Sequence, residues 1–220
     1  MSSLFRKVFR EPANALTHLS GALLSMVALG LLIQRALDAG SITMLAAFLV
    51  FGLSLILLYT SSTLYHSIRA PMEVIIFFRK LDHMMIYVLI AGTFTPFCLL
   101  VIGGIPGITL LTIVWTMALS GIILKLFVNG VPRWLSVSLY IVMGWAGIAL
   151  IPYMIGTLPV KGMIWLAAGG VIYTIGAVIY GTGKPNPLPD RFGYHEIWHL
   201  FVLAGSFAHF WAIYRYVALV

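Results

Sequence analysis

The chain reads as an all-α integral membrane protein, a bundle of seven transmembrane helices. Three observations lead there. Of its 220 residues, 61% are hydrophobic and 9% charged, against about 45–50% and about 25% in an ordinary soluble domain. Mean hydropathy is +1.05, more apolar surface than so short a chain can hide from water. Apolar runs of about 20 residues, enough to cross about 30 Å of hydrocarbon, recur without the alternation of barrel strands. Soluble, disordered, fibrous and nucleic-acid-binding classes are excluded.

The runs fall at roughly 15–36, 43–67, 82–102, 107–128, 134–155, 160–181 and 194–218, so residues 1–220 are expected to form one membrane domain. Pro12, following Glu11, suits the first turn of helix 1, where a missing N–H costs nothing. No cleavage-like site accompanies Arg6, Lys7 and Arg10, so the first run is expected to stay as an anchor. The segment Pro71–Phe78, with Arg79 and Lys80 behind it, reads as a short interfacial helix before the third span. Pro96 and Pro152 are expected to kink the third and fifth helices. The spacings Gly144–Gly147 and Gly169–Gly170–Gly176 mark close helix packing. Cys98, the single cysteine, excludes an intrachain disulfide and reads as a small buried hydrophobe.

The net charge of +7 belongs to the span ends. Arg6, Lys7, Arg10, Arg69, Arg79, Lys80, Lys125, Arg133, Lys184 and Arg191 fall on one side, and Arg35, Lys161 and Arg215 on the other. Ten against three places the amino terminus inside and the carboxyl terminus outside. That is opposite to rhodopsin-like receptors.

Ionisable groups inside a span are functional candidates by default. With this topology His18, His66, Asp82, His83, His195 and His199 all fall in one layer near the inner face. His195-Glu196-Ile197-Trp198-His199 puts two imidazoles four residues apart, on one helix face. Such a pair can bite one metal ion, and His66 offers a third nitrogen. Three protein ligands with no thiolate favour zinc in a catalytic pattern. Ser62, one turn deeper than His66, either orients water or substrate or bonds back to its own helix. Asp82 is either an acid–base group beside the metal or a helix cap or partner of Lys80. His83 points about 100° from Asp82 and is expected at the interface. Glu196 reads as a helix-start acid, and His209, about 21 Å along the helix from His195, as a packing or hydrogen-bonding residue.

These residues resemble the haemolysin III family, the bacterial branch of the progestin and adipoQ receptor (adiponectin-receptor-like) superfamily. The matching stretches are Glu11-Pro12-Ala13-Asn14-Ala15-Leu16-Thr17-His18, Ser62-Thr63-Leu64-Tyr65-His66, Leu81-Asp82-His83 running on to Gly92-Thr93-Phe94-Thr95-Pro96, His195-Glu196-Ile197-Trp198-His199 and Ala208-His209-Phe210. The resemblance implies seven helices with the amino terminus inside, and zinc held by His66, His195 and His199 with Asp82 and Ser62 close by. Alkaline ceramidases belong to the wider superfamily, which points to hydrolysis of a lipid amide. The chain is short of the long soluble amino-terminal tail of the animal receptors, which favours a compact protein of the bacterial inner (plasma) membrane.

Three functions follow as expectations. The first is zinc-dependent hydrolysis of a membrane lipid amide or ester, with Asp82 moving the proton and Ser62 orienting water or substrate. The second is a non-catalytic sensor or homeostasis factor in which zinc ties helices together. The third is a pore, as in a cytolysin, or a proton path. The expected partners are membrane lipids, one of them a possible substrate; nucleic acid is not expected.

Overall fold

The computed structural model describes residues 9–128, 130–188 and 192–219. Arg6, Lys7 and Arg191, three of the basic residues used for orientation, lie outside them. Among the described residues seven principal helices follow one another: α1 Pro12–Asp38, α2 Ile42–Ser67, α3 Met72–Pro96, α4 Gly104–Phe127, α5 Arg133–Trp145, α6 Val160–Thr182 and α7 Tyr194–Arg215. Among the described residues the one β-contact is an isolated bridge between Leu188 and Phe192.

Pro12 opens α1 in its first turn, as expected. Ser41 caps α2 by accepting the Met44 N–H at 3.2 Å. Backbone satisfaction inside hydrocarbon has to be internal to each segment, and helices supply it. Among the described residues six helices are long and apolar enough to cross a membrane: α1, α2, α3 with its continuation to Ile102, α4, α6, and α7 continued to Leu219.

The expected interfacial helix at 71–78 is not a separate element. It is the start of α3, which runs unbroken from Met72 past Asp82. Its 31 residues to Ile102 extend about 46 Å, so the first turns project beyond a bilayer core of about 30 Å. Both span prolines disturb their helices. After Pro96 the chain continues as a π-helical stretch, Phe97–Ile102. Before Pro152 it tightens into a 3-10 stretch, Ala146–Leu150, and then makes a single turn, Ile151–Met154. The expected fifth span, 134–155, is therefore a broken helix whose apolar part, Arg133–Ala149, is shorter than the other six.

In the bundle α1 packs on α2 and α7, α2 on α3, α3 on α4, and α6 on both α5 and α7. Phe48, Phe51, Leu55 and Tyr59 of α2 meet Val202, Ala212 and Ile213 of α7 in one core. Tyr87, Val114, Tyr140 and Met143 join α3, α4 and α5 in another. Leu23, Leu24 and Val27 on α1 and Ile108 and Ile123 on α4 stay exposed, the lipid-facing side of the same apolar composition. Close approach confirms part of the glycine reading. A Cβ at Gly169 would collide with the His209 ring, and one at Gly176 would meet Phe201 at 2.5 Å. Gly144 and Gly170 differ: they border a cavity, because bulk is missing there.

Candidate metal centre

Four helices bring one end of the bundle together around three imidazoles. His66 sits at the last turn of α2, and His195 and His199 occupy the first turns of α7. Their ligand nitrogens all lie within 4.8 Å of one another. Ring centroids are 5.1 Å apart for His66–His195, and 4.9 Å for both His66–His199 and His195–His199. His66 and His199 are buried, and His195 is half-buried. The pair on α7 converges because four residues make about one helical turn. His66 reaches it because α2 ends at that level.

The donor set fits a metal ion. His66 Nδ1 is 2.6 Å from Glu11 Oε2, while its Nε2 is buried with no hydrogen-bond partner. A buried ring nitrogen without a partner costs free energy, and three convergent imidazoles are a ligand set. Glu11 has no such shortage. Its carboxylate meets His66 Nδ1 at 2.6 Å and Arg10 Nη2 at 3.2 Å.

Ser62 and Asp82 line the cavity that His195 and His199 also line. Ser62 is fully buried, with its hydroxyl beside the Asp82 carboxylate and making no hydrogen bond to its own helix. The back-bonding alternative is therefore not what Ser62 does, although its neighbours do it: Ser61 donates to Leu58 O at 2.9 Å and Thr63 to Tyr59 O at 2.7 Å. Asp82 lies ten residues inside α3, too deep to cap it, and within electrostatic reach of Ser62 and His66. Lys80 donates to Leu126 O at 3.1 Å.

The cavity has a volume of about 110 Å³. From the imidazoles it passes between Ile86, Leu89, Ile90 and Phe94 of α3 and Trp145 of α5, with His209 also on its wall. His83 corrects the interfacial expectation: it shares this cavity with Asp82, its Nε2 3.4 Å from the Tyr180 hydroxyl. Adjacent residues about 100° apart can both border a space that wraps around the helix. His209 behaves as expected, donating from Nε2 to Leu166 O at 3.2 Å. Glu196 is a helix-start acid, accepting the Gly193 N–H at 2.8 Å, and it also accepts from Asn14 Nδ2 at 2.9 Å.

The sequence reading placed His18 in this layer but gave no site role to Glu11, Asn14 and Thr17 around it. Besides Glu11 and Asn14, Thr17 Oγ1 is 3.4 Å from His199 Nδ1, and His18 stacks on the His199 ring at 3.6 Å. The signal was present: Glu11, Asn14 and His18 recur at three- and four-residue spacing, a polar stripe at the start of an apolar helix.

Fold and site together define an all-α membrane bundle with a buried histidine cluster able to hold a metal ion. The family model described as Haemolysin-III related matches residues 6–210. The chain belongs to this family and is a multi-pass protein of the plasma membrane. It is 45% identical to Hemolysin-3 of Bacillus cereus over 219 residues, 99% of this chain and 96% of that one. It is 44% identical to the Hemolysin-3 homolog of Bacillus subtilis (strain 168), over 94% of this chain and 93% of the relative. A more distant likeness, 27% over 172 residues, covers 76% of this chain and 69% of the human monocyte to macrophage differentiation factor. That reach into animal proteins is what the resemblance to the wider superfamily implies.

Proposed function

We propose that the protein is a zinc-dependent hydrolase of a membrane lipid amide or ester, working from the inner leaflet. The supporting observation is the cavity: one continuous space carries Ser62, Asp82 and two of the three clustered histidines at one end, and an apolar wall of α3 side chains beyond. A lipid has that same division between a polar linkage and a hydrocarbon chain.

In this reading the chain crosses the membrane seven times, with Arg133–Met154 as the broken fifth crossing, the amino terminus inside and the carboxyl terminus outside. The basic residues at the α2–α3 and α4–α5 connections support that orientation. His66, His195 and His199 hold the zinc. When bound, zinc supplies Lewis acidity that activates water near pH 7 and polarises a carbonyl. Asp82 accepts the proton of the attacking water at its carboxylate and returns it to the leaving amine or alcohol. Ser62, whose hydroxyl is not tied to its own helix, donates to the carbonyl oxygen as charge develops there, the task of an oxyanion donor. The α3 side chains exclude bulk water and hold the hydrocarbon chain.

The test is hydrolysis in proteoliposomes, with ceramide and phospholipids offered separately and products read by mass spectrometry. Wild type is expected to release fatty acid from one class. Asp82→Asn is expected to lose at least about 100-fold, the scale of general acid–base catalysis, and Ser62→Ala about 10–100-fold while staying as stable as wild type. Turnover unchanged in Asp82→Asn refutes the mechanism. No turnover by zinc-loaded wild type on either class leaves the cluster as a structural tie between α2 and α7 and refutes the hydrolase.

A further inference from the structure

We infer that the inner end of α1 positions the histidine cluster: Glu11 fixes which nitrogen of His66 faces the metal, and Thr17 and His18 do the same for His199. This rests on the metal-centre reading of His66, His195 and His199.

The argument starts from hydrogen inventories. A carboxylate only accepts, so the 2.6 Å contact between Glu11 Oε2 and His66 Nδ1 requires the proton on Nδ1. In a neutral ring that leaves Nε2 as the lone-pair nitrogen, and Nε2 is the buried atom without a partner. The Thr17 hydroxyl has one hydrogen, directed to the Ala13 carbonyl at 2.9 Å and the Asn14 carbonyl at 3.0 Å. With that hydrogen on either carbonyl, its oxygen accepts from His199 Nδ1 at 3.4 Å, which gives the second ring the same tautomer. His18 closes the arrangement. Its ring lies 3.6 Å from that of His199 and 10° from parallel, which blocks rotation of His199 to that side.

Glu11 is itself anchored. Its N–H donates to His66 O at 2.9 Å, Arg10 Nη2 lies 3.2 Å from its Oε1, and Asn14 Nδ2 lies 3.4 Å from its Oε2. Asn14 also donates to Glu196 Oε1 at 2.9 Å. The carboxylate on α1 is thus tied to both helices that carry the imidazoles. A carboxylate behind a ligating imidazole raises its basicity and fixes its orientation, and removing such a partner typically costs about 10–100-fold in metal affinity.

The experiment uses the full chain in nanodiscs with ¹⁵N-labelled histidine, first metal-free and then titrated with zinc alone. Wild type, Glu11→Ala, Glu11→Gln and Asp38→Ala are compared, with His66→Ala to assign the His66 resonances. In metal-free wild type His66 is expected as the Nδ1–H tautomer. Glu11→Ala is expected to mix the two tautomers and weaken zinc binding about 10–100-fold. Glu11→Gln, whose amide oxygen still accepts from Nδ1–H, is expected to keep the tautomer and most of the affinity. Asp38→Ala, which breaks the exposed hydrogen bond from Gln34 Nε2 at the other end of α1, is expected to bind zinc as wild type does. Wild-type tautomer and affinity in Glu11→Ala overturn the inference, as does equal loss in Glu11→Gln and Asp38→Ala. If wild type binds no zinc, the metal-centre reading fails, and the tautomers in wild type and Glu11→Ala still decide the role of Glu11.

Discussion

Zinc binding and His66 can be separated by a stability measurement that needs no substrate. In the metal-free protein, His66→Ala changes two opposed quantities. The ring is fully buried, and truncating a large buried ring costs about 3–5 kcal/mol. Its Nε2 has no partner, and relieving that penalty returns about 1–3 kcal/mol. Glu11, 40% exposed, goes back to water when its partner is lost. The variant should therefore be less stable than wild type by about 2 kcal/mol without metal, within a span of roughly 0–4 kcal/mol set by those two ranges. Zinc at about 100 times its dissociation constant then adds about 2.7 kcal/mol to a protein that binds it only when folded. For a chain of this size that is a rise of about 5–11 °C in Tm. Wild type is expected to show the rise, with about one zinc per chain by elemental analysis, and His66→Ala to show neither. Thermal unfolding in detergent, monitored by intrinsic fluorescence with and without zinc, reads both numbers. An equal zinc-dependent rise in His66→Ala would refute the assignment of the three histidines as the metal centre.

Packing between helices gives two further expectations. A Cβ at Gly169 meets the His209 ring, whereas one at Gly170 meets only Trp145, at 4.0 Å. Gly169→Ala should cost about 1–3 kcal/mol through overpacking, and Gly170→Ala should be neutral or gain up to about 1 kcal/mol of helix propensity; equal melting of the two variants would contradict this. The Tyr59 hydroxyl donates to Ser206 Oγ at 2.6 Å, and Tyr173 OH lies 2.7 Å from that same oxygen. Because Tyr173 remains to serve Ser206, Tyr59→Phe should lose only about 0.6–1.7 kcal/mol, the range for hydrogen bonds between membrane helices. A larger loss in chemical unfolding would mean the three hydroxyls act as one unit.

Helix type and the inner-end layer of polar groups were legible because composition, run length and spacing express them directly. His195 and His199 are a turn apart in sequence, so their convergence needs no tertiary information. His66 could be placed at their level by counting residues from the span ends. The unity of α3 was not legible, because Pro71–Phe78 with its charged flank has the same composition whether it lies along an interface or extends a helix. His83 was misplaced for a related reason: angular arithmetic on one helix does not reveal a space that wraps around it. Glu11 was read only through the proline that follows it. Its contact with His66 bridges 55 residues, a distance no local pattern encodes.

The hydrogen bond between Asn14 and Glu196 joins residues 182 positions apart. At a synthesis rate of about 5–20 residues per second, the first helix waits roughly 9–36 s in the bilayer before its partner leaves the ribosome. Throughout that interval Glu11, Asn14, His18 and His66 lack the seventh helix that completes their surroundings. The cluster therefore closes last, and its closure reports that every preceding segment has inserted in the right sense. A chain halted early, or with one segment inverted, would leave those polar groups facing lipid or unmatched water.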